Sequence, residues 1–396
     1  MIDQLPSEMV LKILENLSQK EVLAMSLVNK QMYQYCSDPS LWQSFQVFYG
    51  CTEVLFKILS MPRFKRLKSL HITNNYLYND DDENIEFTER ELNQLFELLL
   101  DIQIEEIIFA NVDVKQVNTS LLIKVLKSTE YITIEQDAQF DKTQISSILQ
   151  NIPSSKIKSF QAKMVNFTDI NPKIINAAIN KLEKFGTHYC EFSREQVKVI
   201  FDQMSKETNL KFLAINSNNK ILENVSATTL ASAVNNIESV FLNETISNNQ
   251  MISIFEKMAS ETKIKTLFLA SSDDVPIIIE NIPNFILSKA INNLEMFEGP
   301  NFYLTKPQLK RTLEQVSDKK SKIKSINVAC TDLPDLEISC LKTLICKLEE
   351  NKFRHEIEKK MSEVLLKMKE NKKRKLEKSE ELDCSFTQNN KKPRYD

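Results

Sequence analysis

His188 and Cys190 are the residue types of a base-activated thiol nucleophile, and Cys340, Cys346 and His355 those of a soft metal site. Spacing argues against both. Cys340 and Cys346 are six residues apart on one helical stretch, too far round the helix for ordinary neighbouring ligands. His188 and Cys190 fall inside a repeated strand unit, described below, in which the histidine faces the hollow of the fold and the cysteine takes a structural position. The segment from Asp80 to Glu91 imitates a calcium loop, with Asp80, Asp82, Asn84 and Glu91 at ligand positions 1, 3, 5 and 12. Ile85, however, stands where the sharp turn needs glycine, and Glu91 belongs to a helix cap, so the stretch reads as a solvated insertion. The chain has only three glycines, Gly50, Gly186 and Gly299, from which no phosphate-cradling loop can be written. No catalytic residue, metal or cofactor is expected.

The elements that must position any site occupy 396 residues, of which 42% are hydrophobic, enough for a packed core along most of the chain. The net charge of −3 argues against a general nucleic-acid or membrane-surface binder. It conceals an asymmetry: residues 352–396 carry 14 Lys and Arg against 9 Asp and Glu. Seven cysteines at irregular spacings, with no C-x-x-C, suggest reduced thiols. The start, Met1 to Pro6, lacks the basic flank and apolar stretch of a signal peptide. No apolar run reaches the ~18 residues of a membrane span, and a soluble intracellular protein is expected.

In the first fifty residues, Pro6 marks a helix start, and Met9, Ile13, Leu14 and Leu17 follow at helical spacing. A second short helix carries Val22, Leu23, Leu27 and Val28, and a third ends near Cys36 before Asp38-Pro39-Ser40. Three such helices are too small to bury a generous core, and modules of this size often gain stability from a partner. The ordered pattern Leu5-Pro6-x-Glu8, Ile13-Leu14-x-x-Leu17, Leu27-Val28-x-Lys30 and Asp38-Pro39-x-Leu41-Trp42 resembles the F-box over about residues 2 to 46. Asn29 and Met32 depart from it, standing where the family usually has Cys and Trp. The resemblance implies docking to a Skp-type adaptor, and through it to a cullin-RING ubiquitin ligase. The docking set it implies is Leu5, Pro6, Ile13, Leu14, Leu17, Val28, Leu41 and Trp42.

Beyond this module a pattern of apolar residues at positions 0, 3 and 5 recurs. It begins at Leu67 and returns at Ile104, Thr129, Ile157, Leu182, Leu210, Ile237, Ile264, Leu294 and Ile323, mostly 25 to 30 residues apart. Position 8 of several units is a short polar residue, as at Asn75, Cys190, Asn218, Thr245, Ser272 and Thr331. Such a side chain can bond the backbone groups freed where each strand turns away. Amphipathic helices are expected between the strands. Alternate ones share a capping box: Thr88-x-x-Glu91, Asp141-x-x-Gln144, Ser193-x-x-Gln196, Ser247-x-x-Gln250 and Thr305-x-x-Gln308. The intervening helices end alike, in Ala178-Ile179-Asn180, Ala233-Val234-Asn235 and Ala290-Ile291-Asn292, so two unit types alternate.

These lengths resemble ribonuclease-inhibitor-like leucine-rich repeats. The expected fold class is therefore α/β: a small all-α F-box followed by a leucine-rich-repeat solenoid, with parallel strands on the concave face and helices on the convex face. The expected divisions are an F-box at 1–46, a linker and capping helix at 47–66, a solenoid of about ten units at 67–350, and a charged helix with a disordered basic tail at 351–396. The tail runs Lys372-Lys373-Arg374-Lys375 and Lys391-Lys392-Pro393-Arg394 read either as nuclear import signals or as a solvated tail, so the expected location is cytoplasmic, with the nucleus open.

On the concave face, Phe212, Phe241, Phe268 and Met296 lie on four successive strands and form the expected target-binding patch. The whole reads as a non-catalytic substrate receptor of an SCF-type ubiquitin ligase, with a Skp-type adaptor and a protein target as partners and no nucleic acid or membrane. The alternative is a repeat scaffold that holds a Skp-type partner without promoting degradation.

Overall fold

The computed structural model describes residues 5–48, 59–60, 66–74, 87–217, 220–270, 277–278, 281–318, 321–329, 336, 338–348, 357–367 and 370. The capping helix expected at 52–66, most of the calcium-loop imitation, His355 and both basic runs lie outside the described residues or nearly so. The chain divides into two units, Met1–Gln250 and Met251–Asp396.

The first unit opens with three short helices, α1 (Ser7–Leu14), α2 (Gln19–Ser26) and α3 (Lys30–Cys36), and a 3-10 turn at Pro39–Trp42. Strands and helices then alternate. The strands are β1 (Ser44–Phe48), β2 (Arg66–Thr73), β3 (Gln103–Ala110), β4 (Tyr131–Ile134), β5 (Ser159–Lys163), β6 (Lys184–His188), β7 (Phe212–Asn216) and β8 (Ser239–Asn243). Each pairs in parallel with the next in chain order. Parallel neighbours need a crossover between them. From β2 onward it is supplied by α4 (Glu89–Leu99), α5 (Thr119–Leu126), α6 (Lys142–Asn151), α7 (Pro172–Lys181), α8 (Arg194–Met204) and α9 (Ala227–Asn235).

Period-2 alternation puts repeat positions 3 and 5 on the helix-covered face, and these are buried: Ile107 and Phe109, Phe160 and Ala162, Leu213 and Ile215, Val240 and Leu242. The register therefore agrees with the sequence pattern. β1 spans residues 46 and 47, between which the F-box and the linker were expected to divide. The first module thus passes directly into the sheet.

The second unit contains α10 (Asn248–Ser260, whose first turn falls in the first unit), β9 (Thr266–Ala270), β10 (Ile277–Ile278), α11 (Asn284–Asn292), β11 (Met296–Tyr303), α12 (Lys306–Val316), β12 (Ser325–Ala329) and α13 (Ile338–Lys347). Here β11 pairs in parallel with β9, β10 and β12, with a register shift between Gly299 and Tyr303. Glycine is required at that bulge, because a Cβ on Gly299 would lie 2.5 Å from the Cβ of Phe302. Residues 357–367 are helical. Among the described residues no helix is long and apolar enough to cross a membrane.

The capping boxes form as the sequence spacing predicts. Thr88, Asp141, Ser193 and Thr305 each accept from the third residue of their helix, whose own side chain returns a bond to the cap backbone. Ser247 and Gln250 exchange the same pair of bonds. Each cap satisfies two of the four orphan amides at a helix start and is worth about 1 kcal/mol.

Candidate interaction surfaces

The amino-terminal module has one helix with two apolar faces. Val10 and Leu14, one turn apart on α1, are 1% exposed and form its inner face. Met9 and Ile13, also one turn apart, are 52% and 45% exposed. The end of α2 adds Leu27 and Val28, 86% and 63% exposed. Large apolar groups at that exposure have no role in the module's own core and mark a contact surface. Trp42 takes the opposite part: it is 1% exposed, its Nε1 donates to the Cys36 carbonyl at 2.7 Å, and its ring lies 6.0 Å from that of Phe45. The buried indole and its satisfied N–H lock the 3-10 turn onto α3.

This divides the docking set carried over from the family resemblance. Pro6, Ile13 and Val28 are exposed, while Leu5, Leu17 and Leu41 are half-buried. Leu14 and Trp42 are buried in the module's own core and lie beneath this surface. Met9 and Leu27 were missing from the set, although Leu27 stands within the quoted motif. The two departures from the family pattern have local explanations. Asn29 caps α3, its Oδ1 accepting from the Met32 amide at 2.8 Å, and Met32 fills the core at 3% exposure.

The module is fastened to the sheet by a side chain acting as a strand. On the outer edge of β1, Gln19 of α2 donates through Nε2 to the Ser44 carbonyl at 2.5 Å and accepts from the Gln46 amide at 3.1 Å. One primary amide thus satisfies the donor and acceptor that an edge strand leaves open. From the other side, the Lys68 and Ser69 amides donate to the Gln43 carbonyl at 2.7 and 3.0 Å.

On the sheet face away from the helices, strand register arranges side chains in rows. One row runs Ser69, Glu106, Tyr131, Ser159, Lys184, Phe212 and Ser239, each opposite the next. A second runs Thr133, Gln161, Gly186, Ala214 and Phe241. Phe212 and Phe241, on different rows of β7 and β8, meet with ring centroids 5.3 Å apart and a 38° tilt. Each is half-buried rather than fully exposed, because the rings cover one another and the small Ala214 lies beside them. The Lys184 ammonium lies 6.0 Å from the Tyr131 ring centroid. In the second unit Phe268 faces Glu298 and Met296 faces Thr266 and Ser325, both half-buried on the face opposite the buried Leu267, Leu269 and Phe297.

The geometry disposes of the His188–Cys190 pairing. Cys190 is buried, accepts from the Val165 amide at 3.4 Å and donates to the Ala162 carbonyl at 3.3 Å. Burial pushes its thiol up to about 11, the reverse of what a nucleophile needs. His188 is exposed, stacked edge-on to Tyr189, and burial of part of its ring with the nearby Lys163 charge lowers its pKa. Cys190 bonds the backbone of the preceding repeat, as expected for position 8. Among the described residues no group of three His, Cys, Asp or Glu is placed to hold a metal ion.

Residues 2–46 match the F-box-like family model. A solved structure of the leucine-rich repeat-containing protein LegL7 from Legionella pneumophila is similar at 14% identity and a TM-score of 0.42, with 77% of this chain and 99% of that chain covered. No curated protein matches the chain. Residues 2–46 thus match an F-box-like domain, and the units that follow, with parallel strands in chain order, helical crossovers, a period of mostly 25 to 30 residues and a backbone-bonding cysteine at position 8, have a leucine-rich-repeat-like α/β fold.

Proposed function

We propose that this protein is the target-recognition subunit of an SCF-type (Skp–cullin–F-box) ubiquitin ligase. The observation that carries the reading is the outer face of the F-box-like domain, where Met9, Ile13, Leu27 and Val28 are 45–86% exposed on a module with little core of its own. A Skp-type adaptor covers that face and brings a cullin-RING assembly. The repeats hold the target on the open sheet face around Phe212 and Phe241, and around Phe268 and Met296. The chain performs no covalent step in this scheme. It raises the effective concentration of target lysines at the loaded conjugating enzyme, and the direct passage from Trp42 into β1 favours a fixed geometry over a loose tether.

Affinity purification of the full chain tests this. Recovery of a Skp-type protein and a cullin, together with a protein whose half-life lengthens when the chain is removed, is the expected result. Recovery of the adaptor with no stabilised partner points instead to a non-degradative scaffold, and recovery of neither removes the proposal. The basic runs at 372–375 and 391–394 are proposed as a nuclear import signal, and a fluorescent reporter carrying residues 371–396 is expected to enter the nucleus. A reporter that stays outside restricts the chain's work to the cytoplasm.

A further inference from the structure

The open face of the first unit carries an ordered set of charges. Along one row, Glu106 of β3 and Lys184 of β6 are separated by Tyr131 and Ser159, and Phe212 follows Lys184 on the next strand. A cavity of about 370 Å³ lies over this row and includes Glu106, Tyr131, Ser159 and Lys184. At the edge of the same face the neighbouring charges neutralise one another: Lys158 pairs with Glu130 at 2.7 Å and Lys211 with Glu183 at 2.8 Å. Glu106 and Lys184 enter no ion pair among the described residues. Lys68 and Glu105 also line the cavity, so with Glu106 the β2–β3 end carries two carboxylates against one ammonium and is net acidic. Lys184 is held over the Tyr131 ring at 6.0 Å, which fixes the ammonium above the sheet.

We infer that the target is recognised as an extended segment lying across the strands, with a basic residue on Glu106, an acidic residue on Lys184 and an apolar residue on the Phe212–Phe241 pair. The inference rests on the reading of this face as the target-binding surface and specifies what that surface selects. Strands in a sheet lie ~4.8 Å apart, so Glu106 and Lys184 are three steps, or roughly 14 Å, from each other. An extended chain advances ~3.3–3.6 Å per residue, which sets the two charged residues about four positions apart. Phe212 is one further strand from Lys184, so the apolar residue falls one to three positions beyond the acidic one, at the order of ~5–10 Å. The acidic residue therefore stands between the basic and the apolar one, whichever way the segment runs. Between the charges the site offers the hydroxyls of Tyr131 and Thr133 and the amide of Gln161. These groups can bond a peptide backbone without demanding particular side chains, so the sequence requirement lies in the three anchors.

The experiment is panning of the immobilised full chain against a displayed library of random peptides about 12 residues long, enough to span the row. Enriched peptides are expected to carry Lys or Arg, then Asp or Glu about four positions away, then an apolar residue close beyond it. The double variant Glu106→Lys/Lys184→Glu, at a half-buried and an exposed position outside the core, is expected to keep its fold by circular dichroism and to select peptides with the charges exchanged. Lys184→Glu alone is expected to weaken a peptide selected on the native chain by roughly 3- to 10-fold. Peptides that bind the double charge variant as well as the native chain, yet are lost on Phe212→Ala/Phe241→Ala, overturn the charge order and leave the target-binding face standing. Peptides indifferent to all four substitutions, or no enrichment at all, overturn both.

Discussion

The Nε2 of Gln196 donates to the carbonyl of Phe167, 29 residues earlier in the chain, at 2.6 Å. The same nitrogen reaches the Ile170 carbonyl at 2.6 Å, while Oε1 accepts from the Ser193 amide at 2.7 Å. One buried amide thus closes its own helix cap and binds the turn of the preceding repeat. The arrangement recurs: Gln144 bonds the Val114 and Val117 carbonyls at 2.9 Å, Gln250 those of Leu222 and Val225 at 2.7 Å, and Gln308 that of Ile282 at 2.9 Å. The alternation of two unit types follows from this. One type supplies the glutamine and the other supplies the carbonyls.

Replacing Gln196 by Glu keeps the cap acceptor but turns the donor into a buried carboxylate facing carbonyl oxygens. Urea unfolding followed by circular dichroism is expected to show a loss of roughly 2–4 kcal/mol at pH 7, shrinking as the pH falls and the new carboxyl takes up its proton. A change below ~0.5 kcal/mol would mean that the inter-repeat bonds contribute nothing net.

The exposed and buried apolar groups of the amino-terminal module are expected to separate cleanly. Ile13→Ser with Val28→Ser should abolish co-purification of the adaptor at nearly unchanged stability, since neither side chain is in the core. Trp42→Ala should instead destabilise the module by about 3–5 kcal/mol, because it opens a cavity and leaves the Cys36 carbonyl without its donor. Adaptor binding that survives the serine pair would move the docking surface elsewhere on the module.

Phe212→Ala/Phe241→Ala removes a ring pair with centroids 5.3 Å apart on a half-buried face. Target capture, measured by calorimetry or surface plasmon resonance, is expected to fall by at least ~2 kcal/mol, with adaptor binding unchanged. A stability loss above ~3 kcal/mol would show that the rings serve the fold more than a partner.

Burial raises the Cys190 thiol from the ordinary 9.0 to about 11. At pH 7 both folded and unfolded chains keep this proton, so the group adds no pH dependence. Between 9.0 and about 11 the unfolded chain releases a proton that the folded chain retains, and stability must fall as pH rises through that window. Alkylation by iodoacetamide under native conditions is expected to label the exposed Cys346 well before Cys190. Labelling at equal rates would contradict the buried ladder bond to Ala162.

What the sequence determined by itself was everything that depends on local periodicity. The 0, 3, 5 pattern dictated which strand faces are buried, down to Leu213, Ile215, Val240 and Leu242, because a strand's side chains can only alternate. The Ser–x–x–Gln spacing dictated the caps, because both partners lie within one helical turn. Tertiary structure decided matters of choice between equivalent local options. In α1, periodicity offers two apolar faces, and only packing against α3 put Val10 and Leu14 inside and Met9 and Ile13 outside. The fold likewise buries Trp42 and bonds its indole N–H to the Cys36 carbonyl, which its place in the motif did not reveal. Met164 and Tyr189 adopt φ values of 60° and 53°, which no local rule assigns to bulky side chains. They are held there because their amides donate to His188 and Asn216 of the following repeats at 2.8 and 2.7 Å. Those partners lie more than twenty residues away in sequence, and only the stacked repeats bring them into bonding distance.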